Sequence, residues 1–117
     1  MDVSYILESL NDKQREAVTS ESPHLLVLAG AGSGKTRVLV HRVAWIVDGF
    51  RSNPGTIMTV TFTNKAANEM QSRIQELLKS PVPELWCGTF HGLAHRTLKR
   101  FYKEANLISG FTILDAD

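Results

Sequence analysis

The clearest chemistry in this chain belongs to an apolar run that leads directly into glycines, a lysine and a threonine. Residues 25–36 have the sequence LLVLAGAGSGKT, which ends in Gly34, Lys35 and Thr36. This order is typical of a buried strand, a tight loop of backbone N–H groups and the first turn of a helix. Such a loop binds the oxygens of a triphosphate, while the lysine reaches the outer phosphates and the threonine hydroxyl binds Mg²⁺.

The phosphate-binding signature has a glycine five residues before Gly34, where this chain has Ala29. The competing interpretation is a glycine-rich hairpin turn with an unrelated lysine. The strand-like run before the loop and the helical pattern after it favour the nucleotide site. We predict that Lys35 and Thr36 are catalytic and that Thr36 is the metal ligand. The predicted nucleotide-binding residues of the loop are Ala29, Gly30, Ala31, Gly32, Ser33, Gly34, Lys35 and Thr36.

Length and composition are those of one globular domain. The 117 residues are 43% hydrophobic and 21% charged, and the net charge of +1 gives no bulk electrostatic reason to bind nucleic acid. The single cysteine, Cys87, excludes an internal disulfide and fits a reducing compartment. No apolar run approaches membrane-spanning length, and the start of the chain carries Asp2 and Glu8 instead of basic residues. We therefore expect a cytoplasmic location and no membrane partner.

The elements that must position the loop alternate between strand and helix. The patterns predict strands over residues 24–28, 57–62, 85–89 and 111–114. They predict helices over residues 12–19, 35–49, 64–79 and 91–105. This alternation predicts an α/β fold with a parallel sheet between helices. On the last helix, Ala94, Leu98, Phe101 and Ala105 are expected to face inward, and Arg96, Lys99, Arg100 and Lys103 to form a solvated basic stripe. Trp45 and Cys87 are interpreted as packing residues.

Gln14 has two interpretations. It lies three residues after Asn11, which fits a capping box at the start of the first helix. Alternatively it faces the nucleotide base, because this helix directly precedes the phosphate-loop strand. The local pattern alone favours the cap.

Two further segments, residues 61–65 and 89–91, should lie with the loop at the carboxyl ends of the strands, where parallel sheets bind ligands. Their hydroxyl, amide and aromatic groups suit a single-stranded nucleic acid, since phosphates accept hydrogen bonds and bases stack on rings. The alternative is that Phe62 and Phe90 are core residues at strand ends and that the threonines are N-caps. Taken one residue at a time, that alternative is favoured.

Nucleotide hydrolysis requires an Asp at a strand end for Mg²⁺, usually followed by a Glu that orients water. The apolar residues 111–114 end at Asp115, but Ala116 follows instead of a Glu. We do not interpret Asp115 as the missing acid. The sequence therefore predicts a chain that binds ATP and does not hydrolyse it alone.

The whole chain resembles the start of the UvrD/Rep family of superfamily 1 DNA helicases. Four blocks in the family's order carry the resemblance: LNDKQREAV at 10–18, LAGAGSGKTRVLVHRVAW at 28–45, VTFTNKAANEM at 60–70 and GTFHGLAHR at 88–96. The family accepts alanine at the position of Ala29.

The resemblance implies a RecA-like motor that uses ATP and Mg²⁺ to move 3′ to 5′ on single-stranded DNA and to unwind duplex DNA in repair or replication, where repair or replication proteins are further partners. By position, Gln14 would contact the adenine, which reverses the preference drawn from the local pattern. Phe62 would lie near a base. The DNA contacts implied by position are Phe62, Thr63, Asn64, Thr89 and His91.

The resemblance further implies that residues 1–110 are the N-terminal part of the ATP-binding motor domain and that residues 111–117 begin the segment leading to an inserted subdomain. The family's DEFQD-type acidic block, second motor domain and transition-state arginine have no counterpart in these 117 residues. An incomplete first motor domain is therefore expected. The alternatives are a non-catalytic module that binds ATP or single-stranded DNA, and a small-molecule kinase, against which the TFTNK block argues.

Overall fold

The computed structural model describes residues 2–30 and 34–114. Over these residues the chain is an α/β structure in which α-helices surround a sheet of two parallel strands. The elements are α1 (Asp12–Thr19), α2 (Lys35–Ala44), β1 (Met58–Thr61), α3 (Asn64–Leu78), β2 (Trp86–Thr89) and α4 (Phe90–Arg100). The predicted loop residues Ala31, Gly32 and Ser33 lie outside the described residues, as does Asp115.

Side-chain caps fix where three of the helices begin. Asn11 and Gln14 form the predicted capping box of α1, because Asn11 Oδ1 accepts from the Gln14 N–H at 2.9 Å and Gln14 Oε1 accepts from the Asn11 N–H at 3.0 Å. Thr63 caps α3 through the Ala66 N–H, and Thr89 caps α4 through the Gly92 N–H. Each cap satisfies a helix N–H that has no partner within the helix. The interpretation of these threonines as N-caps is confirmed.

The predicted helix over residues 35–49 is confirmed, although its last part differs in form. After α2 the chain continues as a π-helical turn, Trp45–Gly49. A Cβ on Gly49 would lie 3.0 Å from the Trp45 ring, so glycine allows the indole to pack on this turn. Trp45 is half-buried.

The strands pair in parallel from Met58 beside Trp86 to Thr61 beside Thr89. Their carboxyl ends are therefore neighbours. Helix α3 covers one face, where the Cys87 thiol lies 3.6 Å from the Ala67 carbonyl oxygen. Helix α4 packs on the opposite face.

Two hydrophobic clusters form the core. The first joins α2, α3 and the segment before β2 through Val40, Val43, Met70, Ile74, Val82 and Leu85. The second joins the N-terminal 3₁₀ turn (Ser4–Ile6), α1 and α2 through Ile6, Leu10, Val18 and Ala44. Helix α2 contributes buried residues to both clusters, so the helix that begins at Lys35 is anchored by each of them.

Two of the four predicted strands are wrong. Residues 24–28 form no ladder, and the side chains of Leu26 and Leu28 are 82% and 86% exposed. Residues 111–114 are not a strand either, and Phe111 instead packs edge-on against His95, with 6.0 Å between ring centroids. A strand exists only when a neighbour satisfies its backbone groups. In the described residues the sheet consists of β1 and β2, and neither segment pairs with them.

The predicted inward face of the last helix is also wrong in part. Leu93 is buried and Ala94 is exposed, which rotates the packed face by one residue. The reason is Gly88, since Leu93 Cγ lies 3.4 Å from the point where a Cβ on that glycine would be. Helix α4 ends at Arg100, and Phe101 and Ala105 are exposed beyond it. The basic residues Arg96, Lys99, Arg100 and Lys103 are exposed as predicted, although Arg96 also lies 4.2 Å from the Trp86 ring centroid.

Candidate nucleotide and nucleic-acid site

Near the start of α1, the side chain of Gln14 approaches Gly34, the N-cap of α2. This glycine has a left-handed backbone, with φ +85°, and a Cβ on it would lie 3.0 Å from Gln14 Nε2. Both the conformation and the close approach require glycine. The Oε1 end of Gln14 completes the capping box while its Nε2 end lies against the loop. The two interpretations of Gln14 are therefore compatible in one side-chain position.

A hollow of about 290 Å³, which we call the nucleotide hollow, lies between α1, the residues before the phosphate loop and α2. Its volume is at the lower end of small-molecule sites. Apolar walls, an amide-bearing edge and two lysines surround it, which suits a flat heterocycle with phosphates at one end. The lining residues are Asn11, Lys13, Gln14, Ala17, Val27, Leu28, Ala29, Lys35 and Val38.

Lys35 and Thr36 are the first two residues of α2, directly after the N-cap Gly34, and both are exposed. The helix N-terminus carries the positive end of the helix dipole, and Lys35 adds a full positive charge there. The Thr36 hydroxyl is a hard oxygen donor. Mg²⁺ usually keeps several waters and takes few protein ligands beside the phosphates. A single protein hydroxyl at this position is therefore consistent with Mg²⁺ coordination.

Two aromatic rings lie beyond the paired strand ends. Phe62 follows β1 and is 89% exposed, and Phe90 follows β2 and is 59% exposed. Their ring centroids are 5.6 Å apart, with an interplanar angle of 44°. The interpretation of these residues as strand-end core is wrong. An exposed aromatic pair of this kind offers faces on which a base can stack.

The other predicted DNA-binding residues share this edge. Thr63 and Thr89 are the caps of α3 and α4, and Asn64 and His91 stand in the first turns of these helices and are exposed. A threonine oxygen that accepts a backbone N–H keeps a hydroxyl hydrogen with which it can donate. Because Thr61 and Thr89 are paired, the structure brings all five predicted residues to one edge of the sheet.

Sequence reasoning missed the contacts that hold α1 in place. Arg42 of α2 donates from Nη1 to the carbonyl oxygens of Ala17, Val18 and Ser20, at 3.3, 2.9 and 2.6 Å. Arg37 Nη2 donates to the Ser9 carbonyl at 2.9 Å. The sequence signal for Arg42 is weak: it is a cation between the apolar positions Val40 and Val43 of a helix that also carries Arg37 and His41.

A hydrogen bond from the Tyr5 hydroxyl to Asp48 Oδ2 ties the N-terminal turn to the end of the π-helical turn. Burial raises the pKa of Tyr5 to about 12, and the hydrogen bond to Asp48 and its negative charge add to the effect. Among the residues the structure describes, no helix is both long enough and apolar enough to cross a membrane.

Residues 10–117 match the family model of the UvrD/REP helicase N-terminal domain, and the chain belongs to this family. It is 60% identical over all of its 117 residues to DNA helicase II of Escherichia coli (strain K12), of which it covers 16%. It is 50% identical over 121 residues to DNA helicase II of Haemophilus influenzae, and covers 17% of that protein. It is 47% identical over 116 residues to the ATP-dependent DNA helicase PcrA of Leuconostoc citreum, which involves 98% of this chain and 16% of the relative. The resemblance predicted from the four blocks is confirmed, and the chain spans about one sixth of the length of these relatives.

Proposed function

We propose that this chain is the N-terminal part of the first motor domain of an ATP-dependent 3′–5′ DNA helicase that acts in DNA repair or replication in the cytoplasm. Residues 1–110 belong to the ATP-binding domain, and residues 111–117 begin the segment that leads to an inserted subdomain. The observation that carries the proposal is that Gln14 and Lys35 line one hollow at the N-terminus of α2, where Gln14 also approaches the N-cap Gly34. Family membership supports the same conclusion.

In this proposal the adenine occupies the nucleotide hollow, with the Gln14 carboxamide at its polar edge. The phosphates lie on the loop from Ala29 to Thr36, where Lys35 binds the outer ones. Mg²⁺ held at the Thr36 hydroxyl would neutralise phosphate charge.

Single-stranded DNA then crosses the strand-end edge. A base stacks on Phe62, while Thr63, Asn64, Thr89 and His91 contact the backbone. The exposure of the two rings, and the presence of two helix N-termini beside them, support this path, since exposed aromatic groups and helix N-termini suit bases and phosphates.

The sheet of a complete RecA-like fold has more strands than β1 and β2. We propose that residues 25–28 are one of them when the remaining strands are present. Support comes from their apolar character combined with their exposure, because an exposed apolar run promotes aggregation unless another part of the protein covers it.

The chain is proposed to bind ATP without hydrolysing it alone, because its sequence has no Asp–Glu pair at a strand end to hold Mg²⁺ and orient water. The test is titration calorimetry with ATP and Mg²⁺, together with phosphate release in the presence and absence of single-stranded DNA. We expect saturable ATP binding and no DNA-stimulated turnover. Absence of binding would refute the nucleotide site, and robust turnover would refute the claim about the missing acids.

A non-catalytic module that binds ATP and single-stranded DNA is the second candidate, because the nucleotide hollow and the exposed Phe62–Phe90 pair both lie within the described residues. The gene sequence after Asp117 separates the two. An acidic DE block downstream supports the helicase motor, whereas a stop codon supports the module.

A further inference from the structure

Arg42 lies two turns along α2 from the phosphate loop, yet its side chain is directed at α1. Its guanidinium donates to the carbonyls of Ala17, Val18 and Ser20, at the carboxyl end of that helix. Carbonyls in the last turn of a helix have no partner within the helix and carry the negative end of its dipole. A cation supplied by a neighbouring helix satisfies both conditions.

Helix α1 is thus fastened to α2 at both of its ends. At the amino end Gln14 Nε2 approaches Gly34, and the Ser9 carbonyl just before the helix accepts from Arg37 Nη2 at 2.9 Å. At the carboxyl end the Val18 carbonyl accepts from Arg42. Between them, Val18 packs with Ala44 in the second hydrophobic cluster. A helix of 8 residues has little stability of its own, so its position depends on these contacts.

The hydrophobic contacts alone do not fix the position of α1 along α2, because apolar packing is not directional. Hydrogen bonds of defined length fix this position. A shift that moved the Ser20 carbonyl away from its 2.6 Å contact with Arg42 would move Gln14 by a similar distance relative to Gly34.

We propose that Arg42 is a positioning residue for the nucleotide base, acting through α1 to hold Gln14 at the nucleotide hollow. This inference rests on the proposed function. Arg42 is not among the described residues that line the hollow, so its effect on the base is indirect.

The proposal separates base recognition from phosphate binding. Lys35 and Thr36 belong to α2 itself, whose place is fixed by Val40 and Val43 in the first cluster and Ala44 in the second. When the Arg42 contacts are lost, the position of Gln14 is therefore less well defined. Lys35 and Thr36, which would bind the phosphates, keep their positions.

The experiment compares four variants by calorimetry: Arg42→Ala, Gln14→Ala, the double variant, and Arg73→Ala as a matched control. Arg73 is an exposed arginine of α3 outside the nucleotide hollow. The ligands are ATP, GTP and inorganic tripolyphosphate, each with Mg²⁺. Tripolyphosphate has no base, so it reports the phosphate side alone.

We expect Arg42→Ala to weaken ATP binding about tenfold, the size of one lost amide–adenine interaction, with tripolyphosphate binding unchanged and discrimination against GTP reduced. The double variant should bind ATP no more weakly than Gln14→Ala, because the two residues act through one contact. Arg73→Ala should match the wild type. Arg42→Lys, which keeps the charge with fewer donors, should fall between wild type and Arg42→Ala, and it serves as the test if the alanine variant does not fold.

Equal weakening of ATP and tripolyphosphate by Arg42→Ala, or additive effects in the double variant, would overturn the inference in favour of a purely structural role. If Gln14→Ala weakens ATP binding and neither substitution at Arg42 does, the inference fails while the proposed function stands. If the wild-type chain binds neither ATP nor tripolyphosphate, the proposed function itself fails.

Discussion

The rings of Phe62 and Phe90 lie next to each other beyond the ends of β1 and β2, with 5.6 Å between their centroids. They are neighbours because the strands that precede them pair in register up to Thr61 and Thr89. Phe62 is 89% exposed and Phe90 is 59% exposed, so two apolar surfaces face solvent at the edge where parallel sheets bind ligands. This placement makes the pair the most accessible test of the proposed DNA path.

We predict that Phe62→Ala weakens binding of single-stranded DNA roughly five- to a hundredfold, the range expected for loss of one base–aromatic stack. The Phe62 side chain is almost fully exposed, so the thermal midpoint should change little. Fluorescence anisotropy with a labelled oligonucleotide measures the effect. Phe101→Ala is the control, because Phe101 is also exposed but lines a groove beside Gly55 and Ile57, before the start of β1. Equal losses in both variants would argue against a specific role for Phe62.

Lys35→Ala should abolish measurable ATP binding, since each charge-assisted hydrogen bond to a phosphate contributes about 1.5–3 kcal/mol. The side chain is exposed, so the fold should remain intact. Calorimetry and circular dichroism on the same sample measure both properties. Lys99→Ala removes another exposed lysine, from α4, and should leave binding unchanged. Unaltered ATP affinity in Lys35→Ala would refute the phosphate site.

Gly34→Ala should damage both stability and ATP binding. A left-handed backbone costs an alanine about 1 kcal/mol, and the new Cβ would displace Gln14, whose Nε2 lies only 3.0 Å away. Gly110→Ala is a close control, because Gly110 has φ +84° with nothing within 4 Å of the added Cβ.

Chemical denaturation should therefore show a loss of stability in both glycine variants, larger in Gly34→Ala because displacement of Gln14 also disturbs the cap of α1, whereas ATP affinity should fall only in Gly34→Ala. If Gly110→Ala reduced ATP affinity as strongly, the effect could not be assigned to the contact with Gln14.

The Tyr5–Asp48 hydrogen bond predicts a loss of stability at alkaline pH. In the unfolded chain the Tyr5 pKa is near 10, and in the folded chain it is about 12. The folded state therefore holds the phenol proton more tightly, so the contribution is complete below about pH 10 and is lost as pH rises toward 12.

Urea unfolding of the wild type and of Tyr5→Phe between pH 8 and 12 tests the predicted loss of stability at alkaline pH. The difference between their free energies of unfolding should shrink over the upper part of the range. Tyr102→Phe controls for general effects of removing a tyrosine hydroxyl. A difference that stays constant with pH would contradict the assignment.

The helices could be predicted because their signals are local. Asn11, Thr63 and Thr89 each accept a backbone N–H only three residues ahead, so sequence alone identifies where α1, α3 and α4 begin. The strands that pair with each other, β1 and β2, were also predicted. Residues 24–28 have the same apolar character, but a strand depends on a distant partner, and local composition does not contain that information.

The face on which a helix packs was less predictable than the residue at which it begins, because that face depends on contacts with other elements. The inward face of α4 depends on Leu93 approaching Gly88 of β2, a contact between helix and strand that helical periodicity does not specify. At the site, the glycines and lysine of residues 29–36 predict a phosphate loop from local sequence alone. The approach of Gln14 to Gly34 and the bonds from Arg42 to α1 depend on how two helices pack, and no local pattern predicts them.

Because α2 supplies Val40 and Val43 to one hydrophobic cluster and Ala44 to the other, we expect the hydrogen-bonded amides in its second half to exchange with solvent deuterium mainly when both clusters open. Peripheral segments such as the N-terminal turn can open while the other cluster stays closed. We therefore expect the second half of the helix that carries Lys35 and Thr36 to exchange slowly. A ligand bound at its first turn would slow hydrogen exchange in α1 and α3 alike, although these helices contribute their buried residues to different clusters.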